Sequence, residues 1–195
     1  MAIPKLLAFA GSLRKSSYNY MLVQVAAAGA QAAGAEVKVI HLKDYPMPVY
    51  DQDWFDEHGF PDSVLQFKAL LKGHDGCLIA SPEYNGSVSG ALKNAIDWAS
   101  RSEPGEPPLA LSCFKGKTAA IMATSPGGLG GLRGLSHLQS ILMGLGVLVL
   151  PDQKAVPGAM SAFSASGELV DAAQKDAISA IGAKLAAVTG ALLAG

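Results

Sequence analysis

Short apolar runs alternate with longer helix-forming segments along this chain, and this alternation constrains its fold more than any other feature. The apolar runs are predicted strands, at residues 5–10, 36–41, 76–80, 117–123 and 147–150. The segments between and after them are predicted helices, at residues 17–33, 62–72, 89–100, 130–145 and 168–192. Prolines and clustered polar residues predict loops at 45–60 and 101–108. Because strands and helices alternate, we expect a parallel sheet with helices on both of its faces.

The run at 76–80 and the run at 118–123 are continuously apolar, which is typical of strands buried on both faces. Five strands and about five helices match a flavodoxin-like three-layer sandwich of the α/β class, a five-stranded parallel sheet with strand order 2-1-3-4-5. We expect one domain over residues 1–195. In such folds the ligand lies beyond the carboxyl ends of the strands. The loops after the first, third and fourth strands are therefore the candidate site.

The charge balance narrows the range of partners. With 15 basic and 16 acidic residues, the formal net charge of −1 argues against a nucleic-acid partner or a polybasic membrane protein. Charged residues make up only 16% of the chain, against roughly 25% in a typical soluble domain. This deficit lies mainly in residues 16–35 and 118–151. We therefore expect an oligomer, with part of the helix in 130–150 buried in a subunit interface.

Cysteine and histidine placement predicts neither a disulfide nor a metal site. Cys77 and Cys113 form no disulfide framework and no zinc-binding spacing. The histidines stand singly, at positions 41, 58, 74 and 137. The N-terminal segment lacks the pattern of a signal peptide, and the long uncharged stretches are interrupted by glycines and polar residues. We expect no membrane span and a cytoplasmic location.

The loop after the first strand, GSLRKSSYN at residues 11–19, places hydroxyls, an amide and cations at the start of a helix. A helix N-terminus presents free N–H groups and the positive end of the helix dipole, which together bind phosphate. Arg14 would complete such a phosphate site. The loop is neither a Walker motif nor GxGxxG, which disfavours a nucleoside triphosphatase and a dinucleotide-binding domain. The alternative is that Ser16 or Ser17 serves only as a helix N-cap.

The loop after the third strand, SPEYNGSVSG at residues 81–90, predicts a tight turn because of its proline and Gly86. Backbone N–H groups in such a turn can face a planar heteroaromatic ligand, and Tyr84 can pack on or beside its ring. Asn85 either binds the ligand or only tolerates the turn. Glu83 has the alternative role of a solvated loop charge.

The helix that follows this loop carries residues with structural interpretations of their own. Lys93 and Asp97 stand at i,i+4, a common stabilising pair. Trp98 is expected in the core rather than on a stacking surface. Arg101 either meets an anionic substrate or caps the helix end.

The loop after the fourth strand, TSPGGLGGLR at residues 124–133, contains four glycines, and these allow the backbone to lie close against a flat ligand. The alternative is a flexible surface loop. Ser125 offers a hydroxyl donor. Arg133 is the lone charge in an apolar stretch, so we expect it to have a partner, which is a phosphate, a carboxylate or another subunit. His137 is expected at the surface or in an interface rather than as a general base.

Four segments carry a resemblance to a known family: GSLRKSSYN (11–19), SPEYNGSVSGALKNAIDWASR (81–101), SPGGLGG (125–131) and LRGLSHL (132–138). Through them the chain resembles the NAD(P)H-dependent FMN reductases of the flavodoxin-like fold, and in particular their bacterial quinone- and chromate-reducing branch. The resemblance implies one tightly held FMN per subunit, NADPH or NADH as co-substrate, and a homodimer or homotetramer. Residues 134–136 and 152–164 depart from that branch, which leaves tetramer contacts and substrate preference open.

The resemblance also implies which residues hold FMN. The positions that match phosphate-binding residues are Ser12, Arg14, Ser17, Tyr18 and Asn19. The positions that match residues lining the ribityl chain and isoalloxazine ring are Pro82, Glu83, Tyr84, Asn85 and Gly86. Ser125 and Gly128 match the third contact loop, and Arg101 is the candidate substrate contact. No catalytic side chain is implied, because flavin N5 carries the chemistry.

The implied activity is hydride transfer from NAD(P)H through bound FMN to quinones, free flavin, azo compounds or metal oxyanions such as chromate, in a ping-pong cycle. Two other interpretations remain: a flavodoxin-like FMN electron carrier, and a flavin-binding regulatory protein without turnover. Carriers are usually strongly acidic, so the net charge of −1 disfavours the first. The sequence leaves open the preferred nicotinamide and the physiological acceptor.

Overall fold

The computed structural model describes residues 2–195 as alternating strands and helices. The strands are β1 Lys5–Ala10, β2 Glu36–His41, β3 Gly76–Ala80, β4 Glu83–Tyr84, β5 Ser87–Val88, β6 Thr118–Thr124, β7 Leu148–Val149 and β8 Lys154–Val156. The helices are α1 Tyr18–Ala32, α2 Gln52–His58, α3 Asp62–Lys72, α4 Gly90–Ala99, α5 Leu132–Gly144, α6 Ala159–Ala162 and α7 Ala172–Ala194, with a 3₁₀ turn at Leu42–Asp44. Residue 1 of the predicted domain lies outside the described residues.

The main sheet is parallel and has the order β2-β1-β3-β6-β7, with β8 also paired to β6. The flavodoxin-like order 2-1-3-4-5 is therefore confirmed. The fifth position differs from the prediction, because two short strands share it. The chain leaves the sheet at Pro151, which has no N–H to donate to a ladder, and pairs with β6 again from Lys154.

Two apolar layers sandwich the sheet because successive side chains of a strand point to opposite faces. In β1, Leu6 and Ala8 join the cluster formed with α1 and α7. Leu7 and Phe9 join the opposite cluster, formed with α3, α4 and α5. All of β3 and β6 is buried, as the continuous apolar runs predict.

Helices α1 and α7 pack with their backbones in close contact. A Cβ atom at Gly182 of α7 would overlap the carbonyl oxygen of Ala26, and one at Gly29 of α1 would overlap the carbonyl oxygen of Ser179. Helix α7 is long and apolar enough to cross a membrane by length and composition alone, with a mean hydropathy of 1.7. In this fold its buried residues, among them Gly182 and Leu185, face α1 and the sheet.

Two predicted irregular segments contain regular structure. The predicted loop 45–60 is wrong for its middle part, which forms α2. Asp51 begins that helix, because its side chain accepts a hydrogen bond from the N–H of Trp54 at 3.1 Å. The predicted turn at 81–90 includes a small antiparallel hairpin, β4–β5, described below.

Candidate functional site

The loop after β1 leads into the N-terminus of α1. Ser17 is the N-cap, and its hydroxyl accepts a hydrogen bond from the N–H of Tyr20 at 3.3 Å. This cap uses Ser17 Oγ as an acceptor and leaves its O–H able to donate to a ligand. The first turn of α1 contains no acidic residue. The remaining N–H groups of that turn have no intrahelical acceptor. Ser12, in the same loop, is buried, and Arg14 is exposed. The positive end of the α1 dipole therefore has no acidic side chain of its own first turn to balance it.

Asn19 links this loop to the one after β6. Its side-chain Nδ2 donates to the carbonyl oxygen of Thr124 at 2.9 Å, and its Oδ1 accepts from the N–H of Thr124 at 3.0 Å. Both atoms are buried, and the pair spans 105 residues of sequence. The Asn19 amide, which is predicted to bind a phosphate, therefore bonds through both of its polar atoms to the loop after β6. One N–H of its Nδ2 and its backbone N–H remain as possible donors to a ligand.

A cavity of about 110 Å³ lies where the three loops meet. Its lining residues are Ser12, Arg14, Ser17, Tyr18, Asn19, Pro82, Glu83, Tyr84, Thr124, Ser125 and Pro126. The structure thus brings together residues predicted for the site from all three loops. Thr124 and Pro126 were not predicted, although they flank Ser125. Asn85, Gly86 and Gly128 are not among the lining residues.

Asn85 and Gly86 form the turn of the hairpin, which we define as residues 83–88. Both have positive φ, 52° and 81°, and the flanking Tyr84 and Ser87 are paired. An Asn-Gly pair favours this two-residue hairpin turn because both central residues need the left-handed region. The sequence predicts only a turn here, although the Asn-Gly dipeptide also indicates a hairpin. Tyr84 is 52% exposed at the mouth of the cavity.

Glu83 is held by α5, which begins just after the third loop. One carboxylate oxygen accepts from the N–H groups of Arg133 and Gly134, at 3.0 and 3.2 Å. The other accepts from Arg133 Nε at 2.8 Å and from Arg133 Nη2. The partner of Arg133 is thus a carboxylate, one of the three predicted alternatives. The Glu83 side chain is only 7% exposed, so its interpretation as a solvated charge is wrong.

The electrostatics of Glu83 follow from these contacts. The hydrogen bond from the Arg133 side chain is the main reason why the pKa of the Glu83 carboxyl lies below its ordinary value. Burial opposes this lowering, and the backbone N–H of Gly134 and the charge of Arg133 add to it. The carboxylate is therefore ionised at neutral pH. It is unsuited to donating a proton to a ligand.

The glycines of the third loop have two different causes. Gly130 and Gly131 have positive φ, and a Cβ at either would lie 2.7 Å from Val156 C or from Ala123 Cβ, so the fold itself requires them. Gly127 and Gly128 have ordinary φ, and a Cβ at Gly128 would meet nothing within 4 Å. The protein leaves open space at this position, as it does at Gly90 at the start of α4.

Arg101, the predicted substrate contact, does not line the cavity and belongs to none of its three loops. It follows the C-terminal end of α4, whose N-terminal end adjoins the site, and ten helical residues span about 15 Å. Its guanidinium lies 5.2 Å from the Tyr50 ring and donates to the Ser100 hydroxyl at 3.1 Å. These contacts at the helix end favour the capping interpretation.

The other residues weighed from the sequence have structural partners. Lys93 and Asp97 are paired at 2.8 Å, and Trp98 is fully buried, as predicted. His137 is exposed and its Nδ1 lies 2.9 Å from the Ser87 hydroxyl.

The donor set fits a phosphorylated, planar ligand such as a flavin mononucleotide. A helix N-terminus without acidic residues, two serine hydroxyls and an arginine suit the phosphate. The exposed Tyr84 and the open space at Gly128 suit a flat ring. In residues 2–195, no group of three or more histidine, cysteine, aspartate or glutamate side chains is placed to hold a metal ion.

Comparison with known proteins agrees with this fit. The family model described as NADPH-dependent FMN reductase matches residues 4–161. An NAD(P)H-dependent FMN reductase of Pseudomonas aeruginosa is 39% identical over 168 residues, which cover 86% of this chain and 85% of that protein. A quinone reductase of Escherichia coli is 36% identical over 163 residues, with 83% and 82% covered.

A solved structure extends the likeness to the whole fold. The flavoenzyme NAD(P)H:(acceptor) oxidoreductase FerB of Paracoccus denitrificans superposes with a TM-score of 0.80 at 27% identity, covering 97% of this chain and 98% of that one. The resemblance inferred from the four sequence segments is confirmed. The chain belongs to the NADPH-dependent FMN reductase family and is an oxidoreductase with FMN as its cofactor.

Proposed function

We propose that this chain passes a hydride from NAD(P)H through bound FMN to quinones, and also to free flavin, azo compounds or metal oxyanions such as chromate, in a ping-pong cycle. The observation that carries the proposal is the cavity at the carboxyl ends of β1, β3 and β6, where the three predicted loops meet. Quinones come first among the acceptors because the E. coli relative is named a quinone reductase.

The residues divide the work of binding FMN. Ser12, Arg14 and Ser17, with the N-terminus of α1, hold the phosphate through hydroxyl, guanidinium and backbone N–H donors. Tyr18 and the backbone of Asn19 complete this end of the cavity.

The hairpin and the third loop line the rest of the cofactor. Pro82, the backbone of Glu83, and Tyr84 line the cavity and would adjoin the ribityl chain and the ring. The Asn85–Gly86 turn, at the tip of the hairpin, would contact the ring. Ser125 and Gly128 approach from the other side. When bound, FMN supplies the atom that accepts and then donates the hydride.

The chain's own contribution to the reaction is position and charge. The N–H groups of the Asn85–Gly86 turn would donate to the ring where negative charge develops on reduction, and donors fixed in advance at such a place lower the barrier. The cycle needs one open face of the ring for two successive substrates. The exposure of Tyr84 agrees with an open face.

The functional unit in this proposal is a cytoplasmic homodimer or homotetramer. Support comes from the exposed apolar side chains on and beside α5, among them Leu132 and Met143, which are 53% and 59% exposed. Large apolar side chains exposed on one face of a helix are expected where a subunit packs.

Rapid mixing of the FMN-loaded protein with NADPH or NADH tests the proposal. We expect loss of the flavin absorbance near its visible maximum with at least one nicotinamide, and its return when a quinone is added. No bleaching by either nicotinamide would favour an electron carrier or a regulatory protein. A protein that gains no flavin spectrum on addition of FMN would contradict the whole proposal.

Arg14→Ala tests the phosphate site directly. We expect weaker FMN retention, by about tenfold, because a charge-assisted hydrogen bond is lost. Lys15→Ala is the matched control, since Lys15 is an exposed cation next in the chain that does not line the cavity. Equal retention in both variants would remove Arg14 from the phosphate site.

A further inference from the structure

We propose that Glu83 and Arg133 are positioning residues of the reductase, whose contact fixes the Asn85–Gly86 turn against α5 and so sets where the N–H groups of the turn meet the flavin ring. The inference rests on the proposed function. It assigns to the pair a role in the chemistry although neither side chain reaches the reacting atoms.

The Glu83 carboxylate is saturated by α5. Its two oxygens together accept from two backbone N–H groups, those of Arg133 and Gly134, and from two guanidinium nitrogens of Arg133. With its side chain 7% exposed, Glu83 has little capacity left for a ligand or for water. Glu83 therefore lines the cavity because α5 holds the hairpin there, and its carboxylate is not directed at a ligand.

Helix α5 depends on this contact for its N-terminal cap. Its N-cap residue is Gly131, which makes no side-chain cap hydrogen bond, and its first turn has no acidic residue. A carboxylate at a helix N-terminus interacts favourably with the free N–H groups and with the helix dipole. Glu83 supplies that carboxylate from 50 residues away in sequence, so the hairpin and the start of α5 stabilise each other.

The second strand of the hairpin is fixed to the same helix. A Cβ atom at Gly134 would lie 3.2 Å from the carbonyl oxygen of Ser87 and 3.5 Å from Glu83 Cα, so the hairpin packs directly on bare helix backbone. One turn further, His137 Nδ1 lies 2.9 Å from the Ser87 hydroxyl. We call these interactions, between residues 83 and 87 of the hairpin and residues 133, 134 and 137 of α5, the hairpin–α5 contact.

The hairpin needs external support because it is too small to hold its own geometry. Each of its strands has two residues, and isolated hairpins are at best marginally stable in water. The Asn85–Gly86 turn at its tip projects beyond the contact. A displacement of about 1 Å at such a donor can cost on the order of a hundredfold in rate. The hairpin–α5 contact is thus placed to control catalysis without touching the substrate.

The test compares Glu83→Gln and Arg133→Met with the wild-type holoenzyme. We expect each variant to bind FMN with a Kd within about threefold of wild type, since the phosphate site is intact, while kcat falls by about tenfold. The flavin midpoint potential should shift to more negative values, because donors that stabilise the reduced ring are displaced. Arg133→Lys should recover part of both effects, as it keeps the charge but not the bidentate geometry.

Lys93→Met is the matched control. It breaks an ion pair on helix α4, 2.8 Å from Lys93 to Asp97, that includes no residue of the hairpin–α5 contact. It should leave kcat and midpoint potential at wild-type values.

The proposal is overturned if Glu83→Gln and Arg133→Met keep kcat within twofold of wild type and leave the midpoint potential unshifted, whatever happens to the melting temperature. A merely structural cap would lower the melting temperature alone. Arg133→Met retains the Glu83 hydrogen bonds to the α5 backbone, so it provides the readout if Glu83→Gln does not fold. A wild-type protein that binds FMN but is not bleached by NADPH or NADH would refute the proposed function. The midpoint potential would still test the positioning role in that protein.

Discussion

Asn19 joins two loops of the site that lie 105 residues apart in sequence. Its side-chain amide pairs with the N–H and the carbonyl of Thr124 at the end of β6, in the way that a neighbouring strand would. Asn19 and Thr124 are both buried. The phosphate-binding end of the site and the third loop are therefore coupled through one side chain. The Asn19 side chain thus has a structural role, and its predicted contact with FMN stays a prediction.

Asn19→Ala should lower the free energy of unfolding by about 1–3 kcal/mol, because it leaves the N–H and carbonyl of Thr124 buried without a partner. Chemical denaturation of the apoprotein measures this. Gln24→Ala, an exposed position in the same helix, should change stability by less than about 0.5 kcal/mol. A loss at Asn19 no larger than that at Gln24 would show that the amide pair contributes nothing net.

The two thiols should be inert in the folded protein. Burial raises the pKa of Cys77 to about 12 and raises the pKa of Cys113 as well. Because the thiolate is the reactive form, neither should react with a disulfide reagent at pH 8 within minutes. Titration in strong denaturant should reveal both, since both are free. Rapid reaction of either thiol in the native protein would contradict the burial seen here.

At the scale of elements, the packing of α1 against α7 explains why α1 has no charged residue. One side of α1 covers the sheet and another packs on α7, where Gly29 and Gly182 let the two backbones approach. Part of the charge deficit in residues 16–35 is thus accounted for by burial within one chain.

Gly182→Ala should be strongly destabilising, by about 1–3 kcal/mol or more, because the added methyl would overlap the carbonyl of Ala26. Gly144→Ala is the matched control. It lies at the end of α5 with open space around the added atom, so alanine's better helix propensity should leave stability unchanged or raise it by up to about 1 kcal/mol. Thermal melts of both variants measure the contrast. Equal melting temperatures would mean that the two helices can separate without cost.

The strands and long helices were predictable because each carries its own periodic signal. Strands β1, β2 and β3 have the predicted bounds, and α5 begins two residues late because Gly130 and Gly131 adopt left-handed φ. The short strand β8 was not predicted, since three residues leave no periodicity to detect. Helix α2 escaped detection because it is short, although Asp51 marks its start.

The candidate site was likewise predictable only in part. The loops that form it follow from strand order alone, and their residue types indicate phosphate and a flat ring. The contacts that fix them do not follow, because Glu83 and Arg133 are 50 residues apart and no local pattern pairs them. Which glycines serve packing and which leave room for a ligand also depends on tertiary neighbours, as Gly131 and Gly128 illustrate.

At the scale of the whole molecule, the remaining charge deficit lies on the outward face of α5. Leu132 and Met143 are eleven residues apart, about three helical turns, and therefore share one face of the helix. Ser136 and Ser140 lie between them on that face, so it carries no formal charge. The start of this helix also holds the hairpin through Arg133. A partner subunit on α5 would lie close to the flavin loops.

Met143→Glu should shift the protein to a smaller species in sedimentation velocity, because a carboxylate placed in an apolar interface loses hydration without gaining a partner. The side chain is 59% exposed in one chain, so the fold of the monomer should be unaffected, and far-UV circular dichroism checks this. Val170→Glu is the control, since Val170 is 67% exposed just before α7 and far along the chain from α5. A wild-type protein that sediments as a monomer, or a Met143→Glu variant that keeps the wild-type assembly, would place the subunit contact elsewhere or nowhere. A loss of assembly in Met143→Glu alone would assign the apolar face of α5 to the interface and account for the charge deficit in residues 118–151.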